Sequence, residues 1–218
     1  MKMKPKPWGY FLFLIPIVLT VGWSMKQTEQ KHQPSKPETV NPNYQTAIFA
    51  GGCFWCMQPP YVNLPGVIST TVGYTGGKVE NPTYEEVCTG ETGHAEAVKI
   101  FFDSSKTSYR DLLDVFWHNI DPTNPFGQFA DRGSQYRTAI FYFNEKQKEL
   151  AEQSKKALAE SGKFDQPIVT KIVPASAFYP AENYHQEFYK KNPLRYEGYK
   201  VGSGRAGYLK EKWGDQKK

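Results

Sequence analysis

Gly-Gly-Cys-Phe-Trp-Cys at positions 51 to 56 is the stretch of this 218-residue sequence best suited to covalent chemistry. Cys53 and Cys56 stand two residues apart, a spacing that suits a redox-active pair. With Cys88 they are the only three cysteines, too few and too unevenly placed for a structural disulfide framework. Zinc competes as an explanation of a Cys-x-x-Cys pair, but a closed site needs four ligands and no second pair exists. Cys88, His32, His94, His118 and His185 are scattered and argue against recruitment. An isolated cysteine is most simply a small buried filler. Here the glycine lead, the aromatic neighbours and the second thiol within one turn favour a nucleophile at Cys53.

Such a thiol needs elements to aim it. A strand near Thr46–Ala50 followed by glycines places Cys53 at a strand-to-helix turn, where free backbone N–H groups favour a thiolate, so its pKa is expected to fall. Further strands are expected near Val67–Tyr74, Ala95–Phe102, Tyr136–Phe143 and Ile168–Val173. Helices are expected at Phe54–Leu64, Tyr84–Val87, Tyr109–Asn119, Glu145–Glu160 and Tyr184–Lys191, the fourth with Leu150, Ala157 and Leu158 as its buried stripe. This alternation points to a sheet backed by helices. Aromatic residues make 15% of the chain, more than a disordered protein carries. The net charge of +5 is spread among acidic residues, which reads as solvated faces and not as a nucleic-acid surface.

Ahead of this domain, a basic start is followed by a run from Pro7 to Met25 without charge, long enough as a helix to cross roughly 28 Å. Residues 1–25 are read as a signal anchor or a cleaved signal peptide, and the polar, proline-bearing residues 26–43 as a flexible linker. Residues 44–218 are the catalytic domain. The expected location is extracytoplasmic, membrane-tethered or secreted.

The Gly-Cys-Phe-Trp run after a first strand resembles the signature of the type A peptide methionine sulfoxide reductases. Gly73-Tyr-Thr-Gly-Gly77, Asn81-Pro-Thr-Tyr84, Thr92-Gly-His-Ala-Glu-Ala-Val98, His118-Asn-Ile-Asp-Pro-Thr123, Asp131-Arg-Gly-Ser-Gln-Tyr-Arg137 and Tyr179-Pro-Ala-Glu-Asn-Tyr-His-Gln186 resemble that family's other blocks, in the family's order, over about residues 45 to 196. The resulting fold reading is α+β, a two-layer sandwich with a mixed sheet backed by helices, in the manner of a ferredoxin-like plait with extended loops.

The resemblance implies reduction of the S-epimer of methionine sulfoxide, free or in oxidised proteins. A sulfoxide sulfur accepts a nucleophile only if its oxygen is protonated or strongly hydrogen-bonded as it leaves. By resemblance, Cys53 attacks the sulfur, Glu96 supplies the proton, Tyr84 and Tyr136 donate to the oxygen, and Asp131 aids positioning and polarity. Partial burial would raise the Glu96 pKa enough for that role. Phe54 and Trp55 suit an apolar wall for the substrate methyl, and Tyr196 aligns with a tyrosine lining the family's site. The sulfenic acid left on Cys53 needs a second thiol, for which Cys56 is the natural partner; the tail Val201-Gly-Ser-Gly-Arg205 has no cysteine, so resolution is local or external, and Cys88 stays open as a participant. No cofactor is implied. Electrons come from thioredoxin or an equivalent dithiol, and the protein is expected to act as a monomer. A thioredoxin-like disulfide oxidoreductase using Cys53 and Cys56 is the alternative. Many relatives have an acidic residue where Gln58 stands, and Pro59-Pro60 is expected to shorten or kink the helix after Cys56.

Overall fold

The computed structural model describes residues 41–214, so the expected signal segment and all but the last three residues of the expected linker lie outside the described residues. Strand β1 (Tyr44–Gly51) runs through the middle of the sheet and sends successive side chains to opposite faces. Ala47 and Phe49 join one core cluster with Leu112, Leu113, Phe116 and Tyr61, whereas Ile48 and Ala50 join a smaller one with Ala97, Ala139 and Phe141. The larger side is closed by α4 (Tyr109–Trp117), whose first turn is fixed by Ser108 and Asp111 in a reciprocal cap.

The other sheet strands are β2 (Val67–Thr75), β3 (Ala95–Asp103), β6 (Thr138–Tyr142), β7 (Lys171–Pro174) and β8 (Phe178–Pro180). They lie in the order β7-β6-β1-β3-β2-β8, with β6 and β7 parallel and every other neighbouring pair antiparallel. A two-residue pair, β4 (Gly127–Gln128) and β5 (Asp131–Arg132), stands apart. The architecture is therefore α+β with a mixed sheet and helices. Register matters for the site: Phe49 pairs with Val98 and Tyr74 with Glu96. Two residues beyond Phe49, Gly51 stands level with Glu96, so the chain turns out of β1 beside that carboxyl.

The expected helix over Phe54–Leu64 is two short ones, α1 (Phe54–Met57) and α2 (Pro59–Val62). Pro59 has no N–H to continue the first ladder and instead begins the second helix, where that donor has no partner to lose. Gln58 holds the join. Its side chain is buried, donates to Thr70 Oγ1 at 3.1 Å and accepts from the Glu187 N–H at 3.0 Å. Helix α3 (Tyr84–Cys88) is capped reciprocally by Thr83 and Glu86, which fixes the direction of Tyr84.

Helix α5 (Glu145–Glu160) has the expected bounds but a shifted face. Gln147 and Ala151 are buried, Leu150 and Leu158 are half-buried against the core, and Ala157 is exposed. Gln147 reaches the Thr46 carbonyl at 2.9 Å, so a polar residue occupies the stripe. The strand expected from Ile168 begins at Lys171, and Tyr136 lies in a 3-10 turn (Ser134–Tyr136) before β6. The helix expected over Tyr184–Lys191 is only α6 (Phe188–Lys191), because Glu187 takes a left-handed conformation with φ 51°. Two further helices, α7 (Pro193–Gly202) and α8 (Arg205–Trp213), fold the tail back on the domain.

Candidate active site

The turn from β1 into α1 needs both of its glycines. Gly52 has φ +81°, and a Cβ there would lie 2.5 Å from the Gln128 side chain and 2.9 Å from the Arg205 guanidinium. Cys53 follows as the residue capping α1, 7% exposed, with Cys56 one turn on and 3% exposed. The Cys56 N–H donates to the Cys53 carbonyl at 3.0 Å, and the two thiols are themselves hydrogen-bonded. Both are free thiols.

The first amide of α1 does not serve the thiol. Phe54 N–H donates to Glu96 Oε2 at 3.0 Å, and Glu96 is 2% exposed. Burial pushes its carboxyl up to about 8 against that hydrogen bond, with Asp131 and Cys56 adding to the rise, so it holds a proton at neutral pH. Cys53 is pushed up as well, by burial first, then by the Cys56 hydrogen bond and the Glu96 charge. The expected fall in its pKa is thus reversed. A four-residue helix has little dipole to offer, and its leading N–H is committed to a carboxyl.

Aromatic side chains enclose this pair. Phe54 is 1% exposed and packs against Tyr74, Val72 and Val87, behind the more accessible Trp55. Trp55 stacks on Phe188 at 3.7 Å and donates its indole N–H to His185 Nδ1 at 3.0 Å. That bond requires Nδ1 without a proton, and burial lowers the His185 pKa in the same sense. The Tyr84 hydroxyl is engaged with Cys88, while Tyr136 feels the Glu96, Cys88 and Asp131 charges. Burial raises both phenols, which therefore stay O–H donors at neutral pH.

Of the residues expected from sequence, Cys53, Cys56, Glu96, Asp131, Tyr84, Tyr136, Phe54 and Trp55 come together. Tyr196 is brought to the other side of the pair, where it packs with Cys56 and Phe188. The residue missed is Tyr199, one turn further along α7. Its hydroxyl donates to Asp131 and lies within hydrogen-bond reach of Cys53. The signal was present in the sequence as Tyr196 and Tyr199 at i and i+3 on one helical face, but the helix itself was not expected. Arg205, also unforeseen, donates to the Gly51 carbonyl at 2.9 Å. Among the described residues no group of three or more His, Cys, Asp or Glu could hold a metal ion.

A family model described as peptide methionine sulfoxide reductase matches residues 45–217. The chain is 61% identical over 170 residues to peptide methionine sulfoxide reductase MsrA of Bacillus subtilis strain 168, covering 78% of this chain and 96% of the relative. The protein of the same name from Ligilactobacillus salivarius is 58% identical over 168 residues, 77% of this chain and 97% of the relative. Among solved structures, methionine sulfoxide reductase A of Corynebacterium diphtheriae matches with TM-score 0.63 at 34% identity, covering 71% of this chain and 78% of that one. Mxr1 from Saccharomyces cerevisiae in reduced form matches with TM-score 0.64 at 31% identity, covering 70% and 88%.

The expected extracytoplasmic, membrane-tethered or secreted location is corrected by these findings. Among the described residues no helix is long and apolar enough to cross a membrane. The longest described helix, α5, has 16 residues, would extend about 24 Å and is richly charged. The family match begins at residue 45, and the relatives are matched over nearly their whole length, so what this chain shares with them includes no export segment.

Proposed function

Because this chain belongs to the peptide methionine sulfoxide reductase family, we infer that it reduces methionine sulfoxide to methionine through the thiol of Cys53. The observation that carries the residue assignment is the buried Glu96 carboxyl, hydrogen-bonded to the peptide that follows Cys53 and holding a proton up to about pH 8. The Cys53 sulfur attacks the sulfoxide sulfur, and its proton replaces the one that Glu96 gives to the oxygen. Glu96 protonates the oxygen, and Tyr84 and Tyr136 donate to it, Tyr84 turning from Cys88. Oxygen transfer to Cys53 leaves methionine and a sulfenic acid. Net, one thiol and one sulfoxide give one sulfenic acid and one thioether. Asp131, held by Tyr199, sets the polarity of the site, while Trp55 backed by Phe54 faces the substrate methyl. Tyr196 packs behind Cys56.

Cys56 then closes a disulfide on Cys53, and a thioredoxin-like dithiol reduces it. No organic cofactor, metal or nucleic acid takes part in this scheme, and one copy of the chain suffices. Residues 44–218 are taken as the catalytic domain, supported by the family match from residue 45. The antiparallel order β6-β1-β3-β2, with helices in the two crossovers, supports reading the sheet as a ferredoxin-like plait with extended loops.

The S-epimer is the one expected to be consumed. Full-length protein given each epimer of a methionine sulfoxide peptide with dithiothreitol should release methionine from the S form alone. A folded protein that consumes neither, or prefers the R form, would remove this reading. Tyr199→Phe should slow the first turnover roughly tenfold, the loss of one charge-assisted hydrogen bond of about 1.5 kcal/mol. Quenched-flow measurement of methionine checks this, and a wild-type rate would exclude Tyr199 from the reaction.

A further inference from the structure

Arg205 is 2% exposed, yet its side chain is a guanidinium cation. Its partners are neutral: the Gly51 carbonyl at 2.9 Å from Nη2, the Asn119 carbonyl, the Met57 sulfur at 3.7 Å, and the Phe129 ring 4.6 Å from the guanidinium carbon. Among the described residues no carboxylate lies within 4.0 Å of it. A buried cation without an ion pair requires a negative charge nearby. Position adds to the problem, because Arg205 opens α8, where the helix dipole disfavours a cation and no acidic residue shares the first turn. Neither the helix nor a contact ion pair balances the charge at this place, and the carboxyl that feels it, Asp131, is still pushed up by burial despite the Tyr199 hydrogen bond and Arg205. What lies beside it is the peptide of Gly51 and Gly52, where the missing Cβ of Gly52 leaves the guanidinium room beneath the nucleophile loop.

We propose that Arg205 is the counter-charge of the dithiol pair, holding Cys56 as the thiolate that closes the disulfide. This rests on the resolving role given to Cys56 above. In that step the Cys56 thiolate attacks the Cys53 sulfur, the S–S bond forms as the S–O bond breaks, and the departing hydroxide takes the Glu96 proton to leave as water, the carboxylate regaining the proton that Cys56 released. Charges around Cys56 come from every side: Cys53 before it, Glu96 on β3, Asp131 on β5, Lys200 and Tyr196 on α7, and Arg205 on α8. Asp131 opposes a second negative charge and is itself occupied by Tyr199. The Cys56 pKa is lowered first by the hydrogen bond with Cys53, against burial, and then by the charge of Arg205, with Lys200 behind it.

The test separates the two chemical steps. Reduced full-length protein is mixed with one equivalent of methionine sulfoxide peptide and no reductant, and three quantities are followed: methionine, the Cys53–Cys56 disulfide by peptide mass mapping, and sulfenic acid trapped by dimedone. In Arg205→Met, disulfide closure should fall at least about tenfold more than methionine formation, sulfenic acid should accumulate, and the deficit should shrink as pH rises. Arg205→Lys, which keeps the charge, should recover most of the closure rate. Closure in Arg205→Met at the wild-type rate overturns the proposal alone. So does an equal slowing of both steps, or a lysine variant no better than the methionine one. Absence of the disulfide in wild type overturns the resolving role and this proposal with it. If Arg205→Met does not fold, the pH profile of Cys56 alkylation in Cys53→Ser decides: titration below an ordinary cysteine supports the proposal, and titration at or above it sinks it.

Discussion

Glu96→Gln is expected to slow methionine formation in a single turnover by roughly 10²- to 10⁴-fold, the range that a positioned general acid supplies. Glutamine keeps an oxygen for the Phe54 N–H, so the turn after Cys53 should hold while the proton is lost. The pH dependence gives a second signature. With the Glu96 carboxyl at about 8, the acid form dominates below that pH, so the wild-type first step should weaken as pH rises through 8. The variant should lack that limb. Stability follows the same sign. Between the ordinary carboxyl value of 4.5 and about 8, the folded chain holds a proton that the unfolded chain releases. Wild type therefore loses stability over that interval as pH rises, and the melting temperature of Glu96→Gln minus that of wild type should increase from pH 5 to pH 8. A variant with wild-type single-turnover kinetics would remove the acid from Glu96.

Cys56→Ser should form one equivalent of methionine and then stall with thioredoxin as reductant, with steady turnover lower by at least about a hundredfold. The two cysteines lie across the first turn of α1, with the Cys56 N–H on the Cys53 carbonyl, so a disulfide between them requires little rearrangement. No tail cysteine exists to replace Cys56. Cys88 is on α3 and is engaged by the Tyr84 hydroxyl. Dithiothreitol should still support turnover in the variant, because a small thiol can reach the sulfenic acid directly. Wild-type turnover with thioredoxin would move the resolving role away from Cys56.

Much of the fold and site was legible in the sequence, and the reasons differ by element. The strands at 46–50, 67–74 and 95–102 announced themselves as short β-rich runs, and β3 carried Glu96 to the turn by register alone. The break after Met57 was legible because proline removes a donor irrespective of tertiary context. The tail was not. In α7 and α8 the buried side chains are Tyr196, Arg205 and Leu209, a set too polar and too widely spaced to register as a hydrophobic stripe. Tyr199 and Arg205 were missed for that reason and not for lack of chemistry. The thiol was misjudged for a different one: local sequence gave a helix N-terminus, but only the fold shows that a buried carboxyl occupies it.

The chain direction of these parts sets the order in which the enzyme comes into being. Cys53 leaves the ribosome early, whereas Arg205, which grips the carbonyl of Gly51, is translated about 150 residues later, or roughly 8–30 s at ordinary synthesis rates. For that interval the nascent polypeptide displays a cysteine pair without the cation that is built to sit beneath it. The reactive centre is thus armed by α8, and a ribosome that stops short of residue 205 releases a thiol protein without a finished catalyst.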